Sequence, residues 1–329
     1  MSTQSTAALD APVRPGYARS RRRRAIRHNL TILSFMAPAL LGIAIFLIFP
    51  LATAVEGSFH KFGILDAPGT WYGFGNYRYL LHDPFVRTAA ENTLWFVLIM
   101  VPAQILTGLG AASLLTKMRR GSALYRTIFY LPALVPTVAG VLAFVYLLKP
   151  GTGPVDVILS KLGIDGPLWF NSPTWSKPSL TLLAMWGIGN TMVIFLAALL
   201  DVPVSLYEAA SIDGASAWNR FKHVTLPTIS PVLLFTTITG IIATLSYFTE
   251  SAVAAAAASG AATVGGGAGG NFGYPQESTL SYPLYLYQAG FPEGFLGYAD
   301  ALAIVLFVVT LLVIAVLLKR SRSFTEGAS

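Results

Sequence analysis

The chain is poor in residues arranged for catalysis. Its four histidines are scattered without an HExxH pair, and it contains no cysteine. A metal centre or a cysteine nucleophile is therefore not expected, because both need such residues in defined clusters. The GxSxG elbow of serine hydrolases and the GxxxxGKS/T phosphate loop are also absent. The chain is thus expected to have no catalytic residues and not to hydrolyse ATP by itself.

The most distinctive polar stretch runs from Glu208 to Pro227, between two long apolar runs. Ser205 and Glu208 have the spacing of a capping box, and Gly214 suits the left-handed residue that ends a helix. Ser216 can then cap a second short helix. A polar helix–turn–helix between apolar spans lies outside the bilayer. We interpret this stretch as a docking element for another protein.

The composition predicts where this stretch lies. The 329 residues are 54% hydrophobic and 11% charged, with a mean hydropathy of +0.62, which is typical of an integral membrane protein. A helix needs about 20 apolar residues to cross a bilayer. The predicted fold class is an all-α polytopic membrane protein with six transmembrane helices. These helices are predicted over residues 30–55, 92–116, 128–148, 179–200, 232–253 and 301–318.

Basic residues predict the orientation of the helices. Sixteen of the 22 lysines and arginines lie in the N-terminal tail, in segments 117–127 and 201–231, and at the C-terminus, and the other six lie in the opposite segments. Because cytoplasmic segments are enriched in positive charge, both termini and the Glu208–Pro227 loop are predicted to be cytoplasmic. The N-terminal arginine run could set the membrane topology or bind nucleic acid or lipid. The distribution of basic residues favours the first interpretation, so nucleic acid is not an expected partner.

Polar side chains are few inside the predicted spans. Glu250 lies late in the fifth span, where it is either functional or at the membrane interface. The fourth and fifth spans also carry hydroxyl, amide and aromatic side chains, explained either by helix packing or by the lining of a path for a hydroxylated solute. Residues 254–273 are rich in alanine and then in glycine, which predicts a flexible loop. The sequence leaves open whether Ala254–Ala258 extend the fifth helix.

The stretch Glu208-Ala-Ala-Ser-Ile-Asp-Gly-Ala, followed by Leu226-Pro227, resembles the EAA motif of inner-membrane permeases of binding-protein-dependent ABC importers. Phe74-Gly-Asn-Tyr, Asn92-Thr93 and Leu131-Pro132 are similar to other segments of that family. The resemblance covers nearly everything after residue 28. It is strongest to the first permease of glycerol-phosphate and oligosaccharide systems. The chain departs from the family at 265–268, where a common Thr-Gly-Gly-Gly-Pro-like segment lacks its proline.

The resemblance implies a type I ABC importer permease fold and a division of labour between chains. The permease would pair with a second, homologous permease and bind two copies of a cytoplasmic ABC ATPase. An extracytoplasmic solute-binding protein would deliver a sugar or a related polyhydroxylated solute. No cofactor is expected in this chain, because ATP and magnesium belong to the ATPase subunits. The expected location is the lipid bilayer of the bacterial inner membrane.

The resemblance also implies two sets of functional residues. The EAA loop would form a coupling helix that fits a cleft on the ATPase. Its contacts would be Glu208, Ala209, Ala210, Asp213, Gly214, Leu226 and Pro227. The substrate pathway would include Thr137, Trp186, Gly187, Asn190, Thr191, Thr244, Tyr247 and Phe248.

The predicted organisation follows from these assignments. A basic cytoplasmic tail (1–28) precedes a permease domain (29–320), with a core unit over about 88–319 and the coupling loop at 201–231. Residues 321–329 form a second cytoplasmic tail. The alternative function is an autonomous, ion-coupled carrier of a small polar solute. The scarcity of carboxylates in the spans argues against it.

Overall fold

The computed structural model describes residues 31–63, 69–118, 120–261 and 272–325. The basic tail predicted for 1–28 lies outside the described residues, as do the glycine-rich part of the predicted loop and the last four residues. The chain forms two compact units, residues 1–54 and 55–329. Helix α1 (Thr31–Gly57) provides all of the described structure of the first unit, and its 27 residues are long and apolar enough to cross a bilayer.

The described part of the second unit is almost entirely helical. A short antiparallel pair, β1 (His60–Lys61) and β2 (Thr70–Trp71), joins two of its loops. The helices before the polar loop are α2 (Gly75–Leu80), α3 (Pro84–Thr116), α4 (Ser122–Tyr130), α5 (Thr137–Leu147), α6 (Pro154–Lys161), α7 (Pro173–Trp186) and α8 (Gly189–Leu200). The later helices are α9 (Val204–Ile212), α10 (Ala217–Thr228), α11 (Ser230–Leu245), α12 (Thr249–Ser259), α13 (Tyr282–Gly290) and α14 (Leu296–Thr325).

Only part of the apolar sequence forms straight spans. Among the described residues, α1, α3 and α14 are continuous and long enough to cross a membrane. The pairs α4–α5, α7–α8 and α10–α11 are bent by 100°, 51° and 69°, so the chain has six candidate spans if each bent pair counts as one. The prediction of one continuous helix over 128–148, and of another over 179–200, is therefore wrong.

Local chemistry explains where two of these helices break. Val135 is extended, with ψ at 130°, in agreement with the preference against the helical conformation that the ring of Pro136 imposes on the residue before it. The α7–α8 break falls at Gly187 and Ile188, and α8 then begins at Gly189. Glycine lowers the stability of a helix interior, so the second break also lies where the helix is weakest.

The fifth predicted span, 232–253, is wrong at its C-terminal end. Helix α11 ends at Leu245, and three residues separate it from α12. The segment Ala254–Ala258 is helical and belongs to α12, and its first two residues are buried rather than part of a loop. Small alanine side chains allow α12 to pack closely against α5. Gly260 ends α12 in a left-handed conformation, with φ at 77°.

Three apolar clusters follow the length of α3. The first lies at its N-terminal end and includes Val86, Leu284 and Leu302. The second lies near its middle and includes Phe96, Met100, Val141, Leu180 and Tyr247. The third, which we call the loop-side cluster, lies at its C-terminal end and includes Leu109, Leu115, Met192, Phe195 and Ile229. Because α3 contributes to all three, it connects the polar loop to the opposite end of the unit.

Two asparagines from the family-like segments hold loops in place. The Asn76 side-chain amide donates to the carbonyls of Ser58 and His60, both at 2.9 Å. The Asn92 amide donates to the carbonyls of Glu277 (2.7 Å) and Leu280 (3.0 Å). Buried carbonyls outside regular helices need such partners. These asparagines therefore have a structural role.

A buried carboxylate joins α3 to α13 and α14. Asp83 caps α3, since its Oδ1 accepts the N–H of Phe85 at 2.9 Å. Its Oδ2 accepts the hydroxyls of Tyr285 and Tyr298, the latter at 2.7 Å. Burial, with a contribution from Asp83, raises the pKa of Tyr285, so this phenol stays protonated and donates at neutral pH.

We expect Asp83→Ala to destabilise the protein by roughly 2–6 kcal/mol, because two buried tyrosine hydroxyls lose their acceptor at about 1–3 kcal/mol each. Thermal unfolding in lipid nanodiscs measures the loss. The control is Glu91→Gln, which breaks the Arg87–Glu91 ion pair. That exposed pair contributes little to stability, because water screens it. Equal melting temperatures for the two variants would contradict a structural role for Asp83.

Candidate functional site: a cavity at the helix breaks and a polar loop

A cavity of about 340 Å³ lies beside the breaks between α4 and α5, between α7 and α8, and between α11 and α12. Interrupted helices persist at membrane depth where they line a cavity, because the freed backbone groups find partners there. Aliphatic side chains form part of the wall. Its polar, aromatic and glycine lining consists of Gln104, Thr137, Gly140, Trp186, Gly187, Asn190, Tyr247 and Glu250.

Tyr247 lines this cavity and has a buried hydroxyl. Its ring packs against Phe96 with centroids 5.4 Å apart, and the residue is only 8% exposed. Among the described residues no group hydrogen-bonds to the hydroxyl. A buried hydroxyl without a partner is costly, and because this oxygen is shielded, the groups open to a bound solute are the exposed ones of the wall.

Trp186 supplies an aromatic surface to the same cavity. The residue is 39% exposed, and its ring centroid lies 5.3 Å from that of Phe144. Asn190, four residues further along the chain and beyond the α7–α8 break, is also exposed at the wall. An aromatic face beside a few polar groups is typical of sites for small polar ligands.

Gln104 and Glu250 line the cavity, although neither is among the predicted pathway residues. The Gln104 amide points to the carbonyl of Ala184 at 3.5 Å. That carbonyl has no intrahelical partner, because α7 ends at Trp186. Both residues give a signal in the sequence, since each is a polar side chain within or beside an apolar stretch. Their proximity depends on the helix breaks.

Three predicted pathway residues lie elsewhere. A methyl group on Gly108 of α3 would come within 2.9 Å of Thr191 Cγ2, so Thr191 packs against α3. Thr244 is buried and donates to the carbonyl of Gly240 at 2.8 Å. The ring of Phe248 packs against Tyr287, with centroids 5.2 Å apart. The predicted span 232–253 would place Thr244, Tyr247 and Phe248 in one helix, which the end of α11 at Leu245 rules out.

Gly189 brings α8 close to α4. A Cβ atom at this position would lie 2.9 Å from both the carbonyl oxygen of Phe129 and the Cα of Tyr130. Because these are backbone atoms, they cannot move aside as a flexible side chain can. Glycine at the first position of α8 therefore permits the close contact with α4, next to Asn190 of the cavity wall.

A second cavity, of about 300 Å³, has a different character. Its wall consists largely of aliphatic side chains from α3, α11 and α14, among them Leu94, Val97 and Val309. It offers few groups that could hydrogen-bond to a ligand, so a polyhydroxylated solute would bind poorly there.

The polar loop forms the predicted helix–turn–helix. Helix α9 ends in a Schellman motif, in which the N–H of Gly214 donates to Ser211 O (3.1 Å) and that of Ala215 to Ala210 O (2.9 Å). Gly214 has φ at 72°, and the Ser216 hydroxyl accepts the N–H of Asn219 at 3.3 Å. The predicted glycine stop and serine cap are thus confirmed.

The predicted capping box at the start of α9 is wrong. Pro203 occupies the N-cap position and no side chain caps the helix. Ser205 consequently lies inside the first turn rather than before it. Glu208 is exposed and caps nothing, and no described residue forms an ion pair with it.

One side of the loop is anchored to the loop-side cluster. The hydroxyls of Tyr207 and Thr225 are 2.8 Å apart and share a hydrogen bond. The rings of Tyr207 and Phe221 pack against the cluster, as does Leu226. Leu226 is thus half-buried and supports the loop from within.

The other side of the loop is exposed. Of the predicted docking residues, Glu208, Ala209, Asp213, Gly214 and Pro227 are exposed, and Ala210 is half-buried. Two large apolar side chains absent from the prediction join this surface: Ile212 is 86% exposed and Trp218 is 67% exposed. Contiguous exposed apolar surface with a polar rim marks interaction sites. The sequence did indicate these two contacts, because Ile212 and Trp218 are large apolar residues inside an otherwise polar segment.

Residues 104–323 match the family of the binding-protein-dependent transport system inner membrane component. Relatives include the lactose transport system permease protein LacF of Rhizobium radiobacter, 34% identical over 85% of this chain and 89% of its own. The arabinooligosaccharides transport system permease protein AraP of Bacillus subtilis (strain 168) is 33% identical over 88% of each chain.

The fold is similar to a chain in the crystal structure of a bacterial ABC transporter involved in the import of the acidic polysaccharide alginate. The TM-score is 0.74 at 23% sequence identity, over 92% of this chain and 99% of the other. The family match and the two relatives confirm the resemblance found in the sequence. The chain belongs to the family of inner membrane components of binding-protein-dependent transport systems.

Proposed function

We propose that this chain is the transmembrane subunit of an ATP-driven, binding-protein-dependent importer and forms half of its pathway for a sugar or related polyhydroxylated solute. The observation that carries the proposal is the cavity at the helix breaks, whose wall combines the exposed Trp186 and Asn190 with further amide and hydroxyl side chains. Relatives named as permeases for lactose and for arabinooligosaccharides support the solute class. An autonomous ion-coupled carrier has no such support.

The proposed complex contains a second, homologous permease, two copies of a cytoplasmic ABC ATPase and an extracytoplasmic solute-binding protein. ATP and magnesium would bind the ATPase subunits. The six candidate spans would place both termini in the cytoplasm of a bacterial cell, in agreement with the distribution of basic residues. The polar loop would then face the ATPases.

The exposed side of the loop is the proposed contact with the ATPase. It combines the carboxylates of Glu208 and Asp213 with the apolar surfaces of Ile212 and Trp218, and such a helix can dock in a groove on a partner. ATP-driven closure of the ATPases would move the loop and shift the permeases between inward- and outward-facing states. The anchored side of the loop transmits this movement to the helices of the loop-side cluster.

The cavity assignment is tested by two neighbouring residues of α8. We expect Asn190→Ala to reduce solute uptake about tenfold, because one lost hydrogen bond to a bound solute is worth roughly 1–1.5 kcal/mol. Thr191→Val is the matched control, since Thr191 packs against α3. Uptake is measured in proteoliposomes that hold the complete complex, with the binding protein loaded from a panel of sugars.

Two outcomes would oppose the proposed function. Equal uptake by the Asn190 variant and the unmodified complex would remove the cavity from the pathway. Uptake by this chain alone, without ATPase and binding protein and abolished by collapse of an ion gradient, would instead support the carrier alternative.

A further inference from the structure

Glu250 carries the sole formal charge among the described residues that line the cavity. It lies in the first turn of α12 and is half-buried. Within the described part of the chain its carboxylate forms no salt bridge. The remaining polar lining groups of the cavity, such as Gln104, Asn190 and the Tyr247 hydroxyl, are neutral. The electrostatic character of this half of the pathway is therefore set largely by one carboxylate.

The helix termini around the cavity add partial charges of both signs. Thr137 and Asn190, in the first turns of α5 and α8, lie at its wall, as does the first turn of α12. Each helix N-terminus carries a partial positive charge of about half an elementary unit that fades within a turn. The C-terminal turn of α7, with Ala184 and Trp186, also lies at the wall and carries a partial negative charge, so the helix termini partly offset one another. With Glu250 a full negative charge outweighs the partial charge of its own helix.

We propose that Glu250 is a charge filter, which admits neutral polyhydroxylated solutes and rejects anionic ones such as uronates and sugar phosphates. The part that concerns transported solutes rests on the proposed function. A carboxylate accepts hydrogen bonds from sugar hydroxyls through its two oxygens. A second negative charge nearby is repelled, and the repulsion is strong where protein and lipid exclude water.

The charge of the cavity can be measured without knowing the solute. Trp186 shares the cavity with Glu250, and its fluorescence is isolated by subtracting the spectrum of a Trp186→Phe complex. The two quenchers are iodide, an anion, and acrylamide, which is neutral. In Glu250→Gln the ratio of iodide to acrylamide quenching should rise at least about twofold, because an anionic group lowers the local concentration of anions.

The control variant for quenching is Asp165→Asn, which removes an exposed carboxylate that does not line the cavity. It should leave the ratio unchanged, whereas Glu250→Lys should raise it further than Glu250→Gln. An unchanged ratio in both Glu250 variants would overturn the charge filter.

Transport supplies the second arm of the test. Proteoliposomes with the complete complex take up a panel of neutral oligosaccharides and their terminal uronate derivatives, with uptake normalised to the loading of the binding protein. Glu250→Gln should lower the preference for the neutral sugar about tenfold, which corresponds to roughly 1.4 kcal/mol. If the unmodified complex carries none of these solutes, the proposed function fails, whereas the quenching ratio still tests the charge filter. Transport with an unchanged preference would overturn the filter alone.

Discussion

Replacement of Glu208 by lysine is expected to reduce ATP-driven uptake by at least about thirtyfold. Reversing a charge at an interface with an oppositely charged partner costs roughly 2–5 kcal/mol. The lower figure, about 2 kcal/mol, corresponds to a thirtyfold change in affinity. Because Glu208 is exposed and lies in no described ion pair, the variant should insert and unfold like the unmodified chain. Uptake in proteoliposomes measures the loss of transport, and co-purification of the ATPase measures the loss of docking.

Two further variants make this test specific. Glu208→Gln keeps the shape of the side chain and should give an intermediate loss. Lys222→Gln removes an exposed charge from the neighbouring helix α10 and should transport normally. If Glu208→Lys retained both uptake and the bound ATPase, the proposed docking surface would have to be abandoned.

Gly189→Ala is expected to destabilise the protein by about 1–3 kcal/mol and to reduce uptake, because the added methyl group overlaps backbone atoms of α4. A Cβ at this position would meet two of those atoms at 2.9 Å. The helices would have to separate beside the cavity, which would also move Asn190. Melting temperature and uptake are measured on the same preparation.

Gly110→Ala is the matched control for Gly189→Ala. Gly110 lies inside α3, and a Cβ there would meet no atom within 4 Å. Alanine in a helix interior is more stable than glycine by roughly 0.5–1 kcal/mol, so this variant should melt no lower than the unmodified chain. Equal melting temperatures for the two alanine variants would show that the α4–α8 contact is looser than the structure places it.

The apolar spans could be predicted from the sequence because their signal is a sum over many residues. The breaks within these spans could not be predicted in the same way, because a segment has the same hydropathy whether its helix is straight or bent. Pro136 was nonetheless a visible signal, because the residue before a proline avoids the helical conformation. The end of α11 at Leu245 has no comparable marker. The resemblance to the family implied Thr244 and Phe248 for the pathway, and neither residue lines the cavity.

The polar loop shows which local signals can be relied on. Gly214 and Ser216 act within a few residues of their partners, and both predictions are confirmed. The capping box at Ser205 and Glu208 failed because Pro203 already occupies the N-cap position. The cavity required more than local signals, because Gln104 and Glu250 come together only through packing of α3, α7 and α12.

The position of helix α8, between the cavity and the polar loop, allows it to act as a lever in the proposed transport cycle. Its 12 residues begin at the cavity with Gly189 and end at Leu200, and α9 of the polar loop follows at Val204. A helix of this length is a stiff rod of about 18 Å. A tilt of roughly ten degrees about its loop end would displace Asn190 by about 3 Å, the length of a hydrogen bond. A small rotation imposed on the loop could thus break a contact with the solute, without any change inside the rod itself.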